Sequence, residues 1–95
     1  MRDYEIMTIH RPDLAEDDVE ARISELSEYL SNVGASVTKR DLWGKRRFTY
    51  EIDHLSEGYY SVLSFQSDPG AVGEVDRMLS LADEVIRHKI VKIGD

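Results

Sequence analysis

The sequence predicts an α+β sandwich in which a four-stranded antiparallel sheet carries two helices on one face. The first observation is that β-rich and helical patterns alternate in the order β-α-β-β-α-β. The second is a length of 95 residues, which suits one domain because chains divide only beyond roughly 250 residues. The third is a composition that is 41% hydrophobic and free of cysteine, so an apolar core must hold the fold without disulfide bonds. We expect a single domain over residues 1–95.

The first strand and the first helix have different apolar periods. Tyr4–Ile9 is rich in β-forming residues and ends before Pro12, which favours extended geometry in the residue that precedes it. From Ala15 to Val33 the apolar residues recur at intervals of four and three, which keeps them on one helical face. They are Val19, Ile23, Leu26, Leu30 and Val33.

Two boundary signals flank this helix. Asp13 and Glu16 have the spacing of a capping box, and a start two or three residues later is the alternative. Gly34 stands where a helix commonly ends in the left-handed conformation. We therefore expect the first helix over about Ala15 to Val33.

The second and third strands are expected to form a hairpin. Ala35–Arg40 and Phe48–Ile52 have extended patterns, separated by the irregular stretch Asp41–Gly44. A glycine inside a strand pattern indicates a bulge or a bend. The polar segment Asp53–Gly58 is typical of a turn, and Tyr59–Phe65 resumes the β-rich pattern.

The last two elements are a helix and a strand. Asp68 and Pro69 suit the N-cap and the first helical position. The β-branched run Val85–Ile93 predicts the fourth strand. Two βαβ-type crossovers in this order form a ferredoxin-like sandwich most simply. The apolar stripe of the second helix consists of Val72, Val75 and Leu79, with Met78 at its margin.

No segment resembles a membrane span or a secretion signal. Apolar runs stay well below the roughly 18 residues that a spanning helix needs. Charges at Arg2, Asp3 and Glu5 interrupt any signal-peptide pattern. We therefore expect a soluble, cytoplasmic protein.

The charge is distributed unevenly along the chain. The formal net charge of −7 argues at first against a polyanionic partner. Residues 39–47 nevertheless carry a local charge of +4, whereas residues 13–28 carry −6. Because the Debye length is about 8 Å at physiological ionic strength, a phosphate group responds mainly to the nearest surface. The acidic total therefore does not exclude RNA.

The basic run Lys45-Arg46-Arg47 has two interpretations. It either binds phosphate groups or forms a solvated strand edge that charge protects against aggregation. The neighbouring Trp43 suits base stacking or a partner interface, and a buried anchor for the bulge is the alternative.

Catalytic and metal-binding patterns are missing from the sequence. His10, His54 and His88 lack metal-pair spacing, so each is expected to be structural or solvent-exposed. Asp17 and Asp18 suit the first turn of a helix better than a magnesium site. Neither a Walker loop nor a dinucleotide-binding or nucleophile-elbow motif occurs. We expect a non-enzyme with no catalytic residue, metal or cofactor.

The third strand also lacks the aromatic motif of RNA-recognition domains, which share this element order. It reads Gly58-Tyr59-Tyr60-Ser61-Val62-Leu63-Ser64-Phe65 instead. Tyr60 and Phe65 are five positions apart, so they cannot both lie on the open side of the sheet. At least one of them is expected in the core.

Four fragments carry a family resemblance, and they run in register along the whole chain. They are Met1-Arg2-x-Tyr4-Glu5, the segment Trp43–Ile52, Gly58-Tyr59-Tyr60 and Val85-Ile86-Arg87-His88. Together they resemble the bacterial small-subunit (30S) ribosomal protein six family, and the tryptophan variant is similar to its actinobacterial branch. One departure is Phe48-Thr49, where the family usually has Leu-Ala.

This resemblance implies a function and a set of contact residues. The family has a ferredoxin-like fold and a non-catalytic role in the small subunit, where it binds the central domain of 16S rRNA together with small-subunit ribosomal protein eighteen. By similarity, phosphate or ribose contacts fall to Arg2, Lys45, Arg46, Arg47, Arg87 and Lys92. Further candidates for RNA or partner contact are Tyr4, Trp43, Tyr50 and Tyr60, with a core role as the alternative for Tyr4.

Two other classes share the element order. Small-molecule-binding regulatory modules of the ACT type expect a glycine in the loop after the first strand, and acylphosphatases expect a glycine-rich phosphate loop there. The loop here is Arg11-Pro12-Asp13-Leu14 and has no glycine. The ACT-type module is kept as the alternative function.

Overall fold

The computed structural model describes residues 1–94, which form a four-stranded antiparallel sheet with two helices. The strands lie in the order β2-β3-β1-β4, and each neighbouring pair is antiparallel. The predicted ferredoxin-like sandwich is confirmed. In chain order the elements are β1 (Arg2–His10), α1 (Glu16–Asn32), β2 (Ser36–Ile52), β3 (Leu55–Ser67), α2 (Pro69–Ser80) and β4 (Val85–Ile93).

The core lies between the helices and one face of the sheet. On β1 and β3, alternate residues are buried because successive side chains of a strand point to opposite faces. The apolar stripe of α1 and the Val75–Leu79 pair of α2 cover these positions, as the periodicity predicted. The most deeply buried side chains of the core are Ile6, Ile23, Leu30, Leu63, Phe65 and Val75.

The two ends of α1 differ in how well the sequence predicted them. The capping box was wrong, because Ala15 is the N-cap and no side chain caps the helix. Asp13 lies in the preceding turn, where its carboxylate is 3.8 Å from Arg11 Nε. At the other end Gly34 is left-handed, with a φ of 88°. The amide of Ala35 then donates to the carbonyl of Leu30 at 2.9 Å, which completes a Schellman motif.

The β2–β3 hairpin is longer and tighter than predicted. β2 continues through Asp41–Gly44, because a bulge at Gly44, with a φ of 81°, absorbs the extra residue and keeps the ladder intact. The turn predicted over Asp53–Gly58 was too long. Asp53 and His54 alone form it, both with positive φ as in a type I′ turn, and β3 resumes at Leu55.

The second crossover follows the prediction closely. Asp68 is the N-cap of α2 and Pro69 its first residue, although the Asp68 side chain makes no capping hydrogen bond. Val75 and Leu79 are buried, and Val72 and Met78 pack partly buried against the core. β4 has the predicted bounds.

Gly73→Ala is expected to stabilise the protein by about 0.5–1 kcal/mol, because alanine loses less conformational entropy than glycine in a helix interior. A Cβ at this exposed position of α2 meets nothing within 4 Å. Urea denaturation monitored by circular dichroism measures the change. A loss of stability would contradict the open surroundings of Gly73.

Candidate nucleic-acid interface

One face of the sheet is free of helices, and we call it the open face. Residues paired across neighbouring strands lie on the same side of a sheet, so the register assigns each position. Met7 is paired with Val62 on one side and with Lys89 on the other, and all three alternate with core positions. Tyr60, two residues before Val62 on β3, lies on the same face and is paired with Ile9. The open face therefore carries both apolar and basic side chains.

An aromatic cluster of Trp43, Phe48 and Tyr60 lies at one end of the open face. The rings of Trp43 and Tyr60 are stacked, with centroids 5.9 Å apart and planes inclined by 6°. Phe48 meets Tyr60 edge-on at 6.0 Å. Trp43 remains 44% exposed, so it is not a buried anchor of the bulge. Phe65 is in the core, as the five-residue separation from Tyr60 required.

The basic run in the second half of β2 lies on both faces of the sheet. Arg46 is paired with Gly58 and follows the open face, whereas Lys45 and Arg47 are paired with Tyr59 and Glu57 on the helix side. The Lys45 ammonium lies 5.2 Å from the centre of the Tyr59 ring. Because β2 is an edge strand, all three exposed side chains flank the same sheet edge.

Arg87 joins this end of the sheet from the opposite edge. Arg87 is paired with Ile9, Ile9 with Tyr60 and Tyr60 with Gly44. With strands about 4.8 Å apart, Arg87 lies about 14 Å from Gly44 across the sheet. Lys45, Arg46, Arg47 and Arg87 thus share one end of the molecule, and we call these four residues the basic end.

The other predicted contact residues lie elsewhere. Arg2 is paired with Ser67, and Lys92 with Tyr4, at the opposite end of the sheet from the basic end. Tyr4 is buried and stacks on Phe65 with ring centroids 5.4 Å apart, so the structure supports its core alternative. Tyr50 is 72% exposed near the tip of the hairpin.

The acidic residues of α1 lie on the helix side of the sheet, where Glu16 and Glu20 line a pocket that Trp43 and Tyr60 also border. Glu16, Asp17 and Asp18 form its first turn, where the helix dipole favours negative charge. Arg22 is paired with Glu25 at 2.9 Å on the exposed side of the helix. The chain therefore has an acidic helix layer and a basic end, as the charge distribution predicted.

Sequence reasoning missed two residues of this region. Lys89 lies on the open face beside Met7, two residues beyond Arg87. The period-two alternation of β4 was a sufficient signal, because it groups Lys89 with Arg87 and separates both from Lys92. Phe48 was noted only as a family departure, and the structure places it against Tyr60.

His10 is the one histidine among residues 1–94 that is classed as buried, with 3% of its surface exposed. Its Nδ1 is sealed from solvent and has no hydrogen-bond partner among these residues. Burial lowers the pKa of His10 below its ordinary value of 6.5, Glu84 opposes this shift, and Arg22 adds to it. The folded protein therefore favours the neutral imidazole.

We expect the protein to lose stability as the pH falls below 6.5. The unfolded chain then takes up a proton that His10 excludes in the folded state, so the free energy of unfolding falls until the lowered pKa is reached. One such proton contributes at most about 1.4 kcal/mol per pH unit. Urea denaturation between pH 5.5 and 7.5 should show a shallower slope for His10→Leu, and an unchanged slope for the exposed control His54→Asn. If the free energy of unfolding had the same pH dependence in the wild type and in His10→Leu, His10 would not be the group responsible.

Within residues 1–94, no group of three or more histidine or acidic side chains is placed to hold a metal ion. No helix in the same range is long and apolar enough to cross a membrane.

Comparison with known proteins decides the family. The family model described as ribosomal protein S6 matches residues 3–92. The chain belongs to the ribosomal protein S6 family.

Three relatives are each called small ribosomal subunit protein bS6. The relative from Desulforamulus reducens is 40% identical over the full length of both chains. The one from Symbiobacterium thermophilum is 44% identical over 97% of each chain. The one from Micrococcus luteus is 40% identical over 97% of this chain and 91% of its own.

Solved structures agree with the S6 assignment. The 30S ribosomal protein S6 of Thermotoga maritima superposes with a TM-score of 0.92 at 27% identity, and the match covers 96% of this chain and 86% of that one. The C-terminal domain of the MgtC protein from Mycobacterium tuberculosis reaches a TM-score of 0.52 at 20% identity, over 97% and 87% of the two chains. This second likeness concerns the fold alone.

Membership of the S6 family gives the coarse function. The chain is a structural protein of the cytoplasmic small ribosomal subunit. Its relatives are named as subunit proteins, which agrees with the expectation of a non-enzyme.

Proposed function

We propose that this S6-family chain binds the central domain of 16S rRNA through its basic end and holds small-subunit ribosomal protein eighteen against its open face. The observation that carries this proposal is the convergence of Lys45, Arg46, Arg47 and Arg87 at one end of the sheet, in a chain whose formal net charge is −7.

The basic end suits a phosphate backbone. Arg46 lies on the open face and Arg47 on the helix side, so the edge of β2 presents guanidinium groups to both sides. A planar guanidinium can donate two parallel hydrogen bonds to one phosphate group. The acidic face of α1 repels RNA and is expected to point towards solvent or a basic neighbour.

The open face suits a protein partner. Three of its large apolar side chains remain at least 40% exposed, one on the β2 edge of the sheet and two on the β4 edge. Arginine and aromatic residues, which protein interfaces favour, lie beside them in Arg87 and the aromatic cluster. The three side chains are Trp43, Val91 and Ile93.

The opposite end of the sheet provides a second, smaller set of expected contacts. Arg2 and Lys92 would each add one phosphate contact there, by resemblance to the family. Tyr4 is excluded from direct contact by its burial. Tyr50, exposed near the hairpin tip, is proposed to extend the surface of the basic end.

Binding to a 16S central-domain fragment tests the RNA part of this proposal. With four phosphate contacts from the basic end, the logarithm of affinity should fall with the logarithm of salt concentration by a slope of roughly 3. Filter binding between 50 and 300 mM KCl, with and without protein eighteen, measures it, and the partner is expected to tighten binding. An affinity for the central-domain fragment no higher than that for a fragment of the 16S 3′ domain at the same salt concentration would contradict specific recognition.

A further inference from the structure

A cleft on the helix side of the sheet is unrelated to the open face. It has a volume of about 240 Å³ and lies where α1, α2 and the start of β4 meet the last residue of β1. Its wall is largely apolar, with Leu26, Met78, Leu79 and Val85 among its residues. An engineered apolar cavity of about 150 Å³ already accepts benzene, so this cleft has room for a small organic molecule.

His10 brings an unpaired polar group to this cleft. It is 97% buried, and its Nδ1 makes no hydrogen bond to any of residues 1–94. Buried polar groups are almost always hydrogen-bonded, so an exception calls for a missing partner. The lowered pKa keeps the ring neutral, and a neutral imidazole offers one nitrogen as an acceptor.

One of the charged side chains near His10 has an ion-pair partner and another has none in the part of the chain that the structure describes. Arg22 is held by both carboxylate oxygens of Glu25, at 2.9 and 3.2 Å, so its charge is matched. Glu84 is half-buried and lines the same cleft, yet its carboxylate makes no ion pair with residues 1–94. The cleft therefore holds one unmatched negative charge and one unmatched acceptor.

We propose that this cleft binds a small organic cation, a protonated amine on a compact apolar frame. The ammonium group would donate to the Glu84 carboxylate and, once the side chains that seal Nδ1 move aside, to the His10 imidazole, while the frame would pack against Leu26, Met78 and Leu79. The cleft shares no residue with the basic end, so the proposal does not rest on RNA binding.

NMR titration of the full chain with 2-phenylethylamine tests this proposal. Amide shifts should saturate in the millimolar range and be confined to residues around the cleft. The neutral 2-phenylethanol, which keeps the frame but loses the charge, should bind about tenfold more weakly. The anionic 3-phenylpropionate should not saturate. Shifts that spread along α1 without saturation would overturn the proposal.

Two variants separate the site from a general attraction to an acidic protein. Glu84→Gln should weaken the amine about tenfold, whereas Asp83→Asn removes the same charge from the exposed neighbouring residue and should leave affinity unchanged. His10→Leu should weaken the amine and the alcohol alike, because a neutral imidazole can accept a hydrogen bond from either, and Glu84 should keep the preference for the amine. Equal weakening in Glu84→Gln and Asp83→Asn would overturn the proposal, provided that both variants keep the wild-type chemical shifts elsewhere.

Discussion

Replacing Arg46 and Arg47 together with alanine is expected to weaken binding to the 16S central-domain fragment by roughly ten- to fiftyfold at 0.1 M salt. Each lost phosphate contact should also flatten the salt dependence by roughly 0.7 to 0.9 in slope. The two residues lie on opposite faces of the β2 edge, so their removal takes charge from both sides of the proposed RNA path. Filter binding at several salt concentrations measures both effects.

The matched control is the pair Arg22→Ala and Arg77→Ala, which changes the net charge by the same amount on the helix layer. This pair should leave the slope unchanged, because a surface more than a Debye length away is screened from the RNA. An equal loss in both double variants would mean that net charge governs binding. An unchanged slope in the Arg46 and Arg47 variant would remove these residues from the interface.

Gly58→Ala is expected to destabilise the fold by about 2–3 kcal/mol, the range for overpacking a tight core. A Cβ at Gly58 would lie 2.7 Å from Ile9 Cγ2, 2.9 Å from the His10 carbonyl oxygen and 3.0 Å from Phe48 Cζ. The carbonyl belongs to the backbone of β1, so a side-chain rotation cannot relieve that contact. The β1–β3 ladder must shift instead, and urea denaturation measures the cost.

Gly70→Ala is the control for this substitution, because a Cβ there meets nothing within 4 Å. It lies in the first turn of α2 and should change the free energy of unfolding by less than about 0.5 kcal/mol. A Gly58→Ala variant as stable as Gly70→Ala would show that the strand contact is not tight. The loss of stability expected for Gly58→Ala would lower the melting temperature by roughly 10 °C or more in a domain of this size.

The fold was predictable because two signals were local and strong. The four-and-three spacing of Val19, Ile23, Leu26 and Leu30 specifies a helix face, and the left-handed position after it demands Gly34. The hairpin was harder to predict. Gly44 indicates a bulge or a bend, and its pairing with Tyr60 in β3 is what makes β2 one continuous strand across it.

The basic residues of the site could be predicted from the sequence, but their arrangement on the surface could not. The run Lys45-Arg46-Arg47 was apparent from charge alone, yet its split between two faces depends on the register with Tyr59 and Gly58. Arg87 belongs to the basic end only because β4 pairs with β1 in a register that sets Arg87 opposite Ile9. His10 looked unremarkable as a strand-end histidine, since its burial comes from α1 and α2 packing over it, which no local pattern records.

The acidic net charge describes the helix layer and not the RNA-binding end. A charge of −7 and a basic end coexist because the acidic residues are concentrated on α1 and the basic ones at one end of the sheet. An acidic chain needs this separation of charges in order to bind RNA within the ribosome. The position of a basic residue should therefore affect the affinity for RNA more than the net charge of the chain does.

Sedimentation of the small ribosomal subunit tests the central claim most directly. In cells that express the chain, we expect it to remain with 30S particles through a wash at roughly 0.2 M salt, while the Arg46→Ala, Arg47→Ala variant is released. The Arg22→Ala, Arg77→Ala variant should stay bound as the wild type does. Recovery of the wild-type chain at the top of the gradient, or equal retention of all three proteins, would contradict the account.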